Sequence, residues 1–335
     1  MLGEQAQHLL RDVFAGQVAL TTALSQAHPI KRRIVRWGSD EPHAVPHSAL
    51  VIGGSRLESA LREQLPSPSG EGPGVGALPT RQGMSAFPAS PDIADSPHPN
   101  PSPKGEGLTS ANFVLSTKAP PASTLLRFGR REAAATPVAL QPGTDPHAAL
   151  VEAIDQGWLF LIPTGAKDGW LLTVGALPED ALRESRLVAT AVAATADTAI
   201  RFETAPRILG HPATPGDLTL GTAALAFDPI CGDGVATAVR GGILAAAIAA
   251  ELATETALDR AAMIGHYRAM LIAAMRRHLA VSAPFYERGG QGTWWREQAE
   301  ATARGHAWCT RQLAAAGEAQ FVLIGDRIAL RDRVA

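Results

Sequence analysis

Cysteine is scarce in this chain of 335 residues, which carries two, Cys231 and Cys309. Two thiols so far apart offer no disulfide framework, and no Cys-x-x-Cys spacing suggests a metal knot. A charge excess is lacking as well. Thirty Lys and Arg stand against 32 Asp and Glu, for a net charge of −2 at pH 7. The densest basic cluster is Lys31-Arg32-Arg33 with Arg36, inside an expected strand, so nucleic acid is not an expected partner. The most apolar run, Ile243 to Leu252, is interrupted by Glu251, lies close to Arg240 and is too short to span a bilayer. The N-terminus has no basic start followed by an apolar core, so no signal peptide is expected and a cytoplasmic location is. Gly-x-Ser-x-Gly is absent, which removes support for a hydrolase elbow. Ten histidines are scattered. His43 and His47 are four apart, but Pro46 between them works against a shared helical face. No metal site is expected.

What is present is a large apolar fraction, 46%, enough for a substantial core in one large or two ordinary domains. Helical spacing runs over 3–15, and Val- and Ile-rich segments at 32–37 and 49–52 read as strands before a short helix at 55–65. Composition then changes at Pro66. From 66 to 110 the chain is dominated by Pro, Gly and Ser, which cannot bury enough surface to offset ordering entropy. Its ends echo each other, Ser67-Pro-Ser-Gly-Glu-Gly72 and Pro101-Ser-Pro-Lys-Gly-Glu-Gly107, and the later phrase resembles a translated bacterial intergenic repeat. A disordered insert without catalytic role is expected; a Pro-rich ligand for a partner is the other reading. Strands are expected at 112–116, 125–140 and 148–176, with a hairpin joining 157–163 to 169–174. A helix is expected over 179–195 and a strand near 199–202. Helices follow at about 235–253, 256–284 and 293–315, and a last hairpin spans 321–330. His278 falls on a helix face expected to be solvated or partly packed. The order, antiparallel strands in the middle and helices late, predicts a mixed α/β or α+β fold.

The densest signal is Leu218 to Ala245, LTLGTAALAFDPICGDGVATAVRGGILA. It reads as a short strand, a Gly-rich turn and a long Ala-rich helix. Gly221, Gly232 and Gly234 permit close approach or positive φ, and Pro229 stiffens the turn. The helix start near Val235 offers unpaired N–H donors and a positive dipole end, which suit an electron-rich ligand. A helix entry capped by Asp233 accounts for the same residues without any ligand.

This stretch resembles the second flavin-contacting motif of FAD-dependent monooxygenases of the p-hydroxybenzoate hydroxylase type. AFDPICGDG is similar in particular to the branch with flavin-dependent halogenases. The resemblance implies FAD as cofactor, with Asp228 and Pro229 beside the isoalloxazine and Gly232, Asp233 and Gly234 presenting amides to it. Gly221 matches the first residue of the family's Gly-Asp pair; Thr222 replaces the carboxylate that holds the ribityl chain. Trp158-Leu-Phe-Leu-Ile-Pro163 resembles the halogenases' WxWxIP signature, with Phe160 for the second Trp; it also reads simply as a buried strand with aromatic anchors. The family's opening strand, GxGxxG and helix are missing. Val51-Ile-Gly-Gly54 has two adjacent glycines but no acidic residue after a second strand. Gly3-Glu4 resembles the segment that follows the family's first βαβ unit, which implies about 40 absent residues.

The resemblance therefore implies an incomplete FAD-binding domain, an antiparallel-sheet substrate domain and C-terminal helices. The expected division is 1–65 for the FAD-domain remnant and first substrate-domain strands and 66–110 for the insert. The substrate sheet takes 111–205, the second flavin motif with its helix 206–255, and the helical region 256–335. The implied partners are a small-molecule or protein-side-chain substrate and a flavin reductase or NAD(P)H. The competing expectation is a non-catalytic remnant, or a subunit needing a separately encoded dinucleotide-binding piece. No catalytic residue is assignable.

Overall fold

The computed structural model describes residues 1–38, 41–62, 114–214, 216–232, 234–253 and 259–331. The expected insert at 66–110 and the site residue Asp233 lie outside the described residues.

The chain opens with β1 (Leu2–Gly3), α1 (Glu4–Val13) and α2 (Val18–Ser25), then β2 (His28–Arg36), β3 (His43–Val51) and α3 (Gly54–Arg62). Helix α2 and the first half of β3 went unread in the sequence. Val18–Ser25 has a helix but no polar stripe to give it a period, and Pro46 sits inside β3 on a strand with exposed residues. After β4 (Val114–Ser116) and β5 (Leu125–Arg127) come the long strands β6 (Glu132–Leu140), β7 (Ala148–Ile154), β8 (Gly157–Pro163) and β9 (Asp168–Val174). Then follow α4 (Pro178–Glu184), β10 (Val192–Thr195), β11 (Ile200–Glu203), β12 (Arg207–Leu209), β13 (Ala213–Thr214), β14 (Asp217–Thr219) and β15 (Leu225–Ala226). Three helices, α5 (Gly234–Leu252), α6 (Arg260–Arg288) and α7 (Thr293–Ala316), precede the hairpin of β16 (Phe321–Ile324) and β17 (Arg327–Leu330).

Nine strands form one sheet in the order β1-β3-β2-β7-β8-β9-β6-β10, with β11 also on β6. Every pairing is antiparallel except β2 with β7. The period of two explains its burial. Trp158 and Phe160 of β8 face Tyr286 and Trp295 of α6 and α7. Leu159 and Leu161 face the opposite side, packing with Ala181 of α4 and with Val188. The sheet is thus covered on both faces, which is why β8 is a continuous apolar run. Close approach between α6 and α7 depends on Gly289, where an added Cβ would lie 2.1 Å from the Trp295 ring. A second core joins α5, α6 and α7 to β12, β14 and the last hairpin through Ile248, Met263, Tyr267 and Met275. Burial there pushes the Tyr267 hydroxyl up to about 12 and the Cys309 thiol up to about 11.

One expected helix is overturned. Residues 179–195 do not continue as a helix: α4 stops at Glu184, Ser185 is extended, and Val188–Ala191 form a single 3-10 turn before β10. The reason is long-range. The carboxylate of Glu152 on β7 accepts the backbone N–H groups of Arg186, Leu187 and Val188, replacing the bonds a continuing helix would give them. Helix α5 is longer than its apolar run suggested. By length and composition it could cross a membrane, but here it packs against α1, α6 and the last hairpin.

Candidate functional site

The Gly-rich segment lies where α5 begins. Strand β14 leads to a 3-10 turn at Gly221–Ala223, β15 pairs with β12, and Asp228 opens a second 3-10 turn at Pro229–Cys231. Gly232 then adopts φ +67°, the left-handed conformation that turns the chain into α5. Asp228 Oδ1 accepts the Ile230 N–H at 2.9 Å, a cap of that short turn.

Two neighbouring cavities flank this turn. The larger, about 1150 Å³, lies between the start of α1, strands β2 and β3, and helices α5 and α6, and Gly232 is on its wall. The smaller, about 260 Å³, is lined by Gly221, Thr222, Pro229, Gly234 and Tyr267. Leu225, Phe227, Thr237, Gly241 and Leu271 line both. Of the expected contact residues, Gly221, Pro229, Gly232 and Gly234 are therefore brought together around the α5 start, but divided between two spaces.

Asp228 faces elsewhere. Its carboxylate is fully buried and pairs with Arg131 at 2.7 Å, Nη1 to Oδ2. The Tyr286 hydroxyl donates to the same oxygen. Arg131 also donates to Gln298 Oε1 at 3.1 Å and to Thr302 Oγ1 at 2.8 Å, and it stacks 4.0 Å above the Tyr286 ring. Burial, with Asp228 beside it, raises the Tyr286 hydroxyl well above its ordinary value, so it stays a donor. This network binds the turn to the start of β6, to α6 and to α7. Sequence reasoning missed it because its members are up to 171 residues apart, and a Gly-Arg-Arg-Glu stretch reads as an ordinary polar loop.

His278 is not solvated. It is buried on α6, its Nε2 accepts the Asp228 backbone N–H at 3.2 Å, and its ring stacks on Phe227 at 4.3 Å and 3°. Burial, with Arg131 adding to it against the opposing pull of Asp228, lowers its pKa to about 4. An acid-sensitivity prediction follows. The folded ring stays neutral down to about pH 4, whereas the unfolded chain protonates near 6.5. The unfolded state binds the extra proton in that window, so stability should fall as pH drops from about 6.5 to about 4, by about 3 kcal/mol. Urea unfolding of the wild type and His278→Gln across this range checks it; equal pH slopes would refute the assignment.

Among the described residues, no group of three or more His, Cys, Asp or Glu side chains could hold a metal ion. Nor does Gly53-Gly54 open a dinucleotide-binding unit there. Strand β3, which precedes it, runs antiparallel to both of its neighbours, and a βαβ crossover needs parallel strands.

The fold is that of flavin-dependent halogenases and a related hydroxylase. The solved structures it resembles include the peptidyl tryptophan dihydroxylase QhpG, described as essential for tryptophylquinone cofactor biogenesis, at TM-score 0.64 and 15% identity. That match covers 98% of this chain and 76% of the other. The flavin-dependent halogenase CmlS matches at TM-score 0.61 and 14% identity, covering 94% of this chain and 64% of CmlS. The flavin-dependent brominase Bmp2 matches at TM-score 0.57 and 14% identity, over 93% and 82%. No protein-family profile and no curated protein sequence matches the chain.

Proposed function

We propose that the chain is an FAD-dependent oxidoreductase of the monooxygenase and halogenase type, located in the cytoplasm, with the flavin ring in the larger cavity. The observation that carries this reading is that Cys231 and Gly232, in the turn that enters α5, line that cavity. The cavity's size suits a tricyclic ring. Its wall also holds two buried nitrogens without partners, Arg33 Nε and His47 Nε2, which fit a ligand rich in acceptors. The diphosphate end is a poorer fit: among the described residues no parallel βαβ turn offers it a cradle, and Thr222 brings no carboxylate.

In this reading Gly232 borders the ring, Gly234 stands on the neighbouring smaller cavity, and the α5 dipole favours an electron-rich edge. Pro229 stiffens the turn, while Asp228 positions it from within through Arg131. His278 holds the turn through the Asp228 N–H. A bound flavin would supply the redox chemistry, with electrons from a flavin reductase or NAD(P)H. The substrate is a small molecule or a protein side chain. The proposed division keeps 1–65 as the flavin-domain remnant with the first substrate-domain strands, 66–110 as an insert and 111–205 as the substrate domain. Residues 206–255 hold the flavin motif and 256–335 the helical region.

A second reading is favoured by the lack of a parallel βαβ cradle among the described residues: a non-catalytic remnant, or a subunit that shares its site with a separately encoded dinucleotide-binding piece. Titration with FAD followed by gel filtration separates the two. Co-eluting visible flavin bands are expected for the first reading. A colourless protein sinks it for this chain, and colour restored by an added dinucleotide-binding piece would establish the subunit.

A further inference from the structure

The larger cavity carries a feature that the flavin motif does not account for. Its wall is rich in basic side chains: Arg33, Arg240 and Arg277 line it beside the neutral imidazoles of His47 and His278, with Glu4 as the acidic side chain among the described residues. Arg240 is tied to Gln5 and His278 to the Asp228 turn. Arg33 and His47 are different. They project from the neighbouring antiparallel strands β2 and β3, whose register sets Arg33 against Val45 and Arg32 against Pro46. The guanidinium of Arg33 crosses 5.7 Å above the Phe160 ring and reaches the turn, where its Nη2 is 3.5 Å from the position a Cβ on Gly232 would take. Its Nε is buried and unpartnered, and so is Nε2 of His47. Among the described residues no carboxylate forms an ion pair with Arg33.

A cation set into a cavity wall without an anion is costly to the folded protein, and its planar fork of donors matches a carboxylate or phosphate. Burial lowers the pKa of both groups, against a weaker raising pull from Cys231 on Arg33 and from Glu4 on His47, and Arg33 lowers that of His47 further.

We propose that Arg33 and His47 form a subsite for an oxyanion, a carboxylate or phosphate group on the molecule that occupies the larger cavity. The proposal rests on the functional reading above only in taking that cavity as the ligand site. Arg33 supplies the charge and the fork, and neutral His47 adds one N–H donor beside it.

The test uses the full chain, titrated by calorimetry with benzoate, inorganic phosphate and uncharged benzamide, and by flavin fluorescence with FMN and riboflavin. At least one oxyanion probe should bind, and benzamide should not. Arg33→Met should weaken oxyanion binding roughly tenfold or more, yet leave the ligand-free protein as stable as the wild type or more so. Methionine keeps apolar cover on Phe160 and removes an uncompensated charge. His47→Phe should weaken binding to a smaller extent. If FMN outbinds riboflavin and Arg33→Met abolishes the difference, the oxyanion is the cofactor's phosphate. If benzoate binds while FMN and riboflavin bind alike, it belongs to the substrate. Equal oxyanion binding by wild type and Arg33→Met overturns the proposal, as does benzamide binding as well as benzoate, or no probe binding. Should Arg33→Met not fold, Arg33→Lys decides: it keeps the cation without the fork, so unchanged binding overturns the proposal and weakened binding supports it. Oxyanion binding without any riboflavin binding would sink the flavin reading while leaving this one standing.

Discussion

Replacing Asp228 by alanine is expected to lower the unfolding free energy by about 3–5 kcal/mol. The cause is the partner left behind. Arg131 is fully buried, and its guanidinium has one anion, 2.7 Å away. Without that carboxylate, Gln298 and Thr302 still accept three of its hydrogen bonds, but among the described residues no other carboxylate offsets the charge. The Tyr286 hydroxyl loses its acceptor too, and the Ile230 N–H loses its cap. Asp228→Asn keeps an acceptor for Ile230 and should cost less, whereas Asp228→Ala combined with Arg131→Met should recover part of the loss, because an apolar pair removes the uncompensated ion. Urea unfolding of the three variants checks the order; a loss below about 1 kcal/mol for Asp228→Ala would show that Arg131 finds another partner. The same variants separate two roles for this residue. A carboxylate that touches flavin directly would lose cofactor affinity with little change in ligand-free stability. One that positions the turn from inside loses stability first.

That distinction also marks what a single sequence conveys. The 218–245 pattern gave the order of turn and helix because glycine, proline and apolar spacing are local signals. The hairpin of β8 and β9, the three late helices and the terminal hairpin were legible for the same reason. The resemblance of AFDPICGDG led to the right fold, since the solved structures that share it include the flavin-dependent halogenase CmlS and the flavin-dependent brominase Bmp2. What escaped depends on contacts distant in sequence. Arg131 stands in a polar turn, and only the packing of α6 and α7 against the sheet makes it a buried hub. His278 looked like one more polar residue on a long helix, because its bond to Asp228 spans 50 residues. Arg33 read as part of a charge cluster inside a strand, and His47 as a scattered histidine beside a proline. Their shared cavity exists because β2 and β3 pair beneath the start of α5.

Glu152 shows the same dependence, and it sets the other large effect. It sits on β7, fully buried, and its two oxygens collect five groups. Arg36 reaches Oε1 at 3.0 Å from its register partner position on the parallel strand β2. The Ser185 hydroxyl donates to Oε2, and the N–H groups of Arg186, Leu187 and Val188 donate at 2.8 to 3.1 Å. Those bonds end α4 and fix the 3-10 turn that packs Val188 against the sheet. Glu152→Ala is expected to cost about 3–5 kcal/mol, through three amides left without acceptors and the loss of the buried ion pair with Arg36. Glu152→Gln should cost less, since its amide oxygen still accepts. The pH dependence has a definite sign. Burial alone would raise the carboxyl's pKa, but the hydrogen bonds from Ser185 and the three amides outweigh it and hold the group below 4.5. A depressed carboxyl contributes stability that is present above the unfolded value and lost as pH falls through the folded one. Its contribution should therefore be constant above about pH 5 and decline below about 4.5, whereas His278 acts between about 6.5 and 4. Unfolding curves for Glu152→Gln should lack the decline below 4.5 and keep the His278 slope above it. A variant that instead lost the slope between pH 6.5 and 4.5 would show that the acid sensitivity of this fold had been assigned to the wrong group.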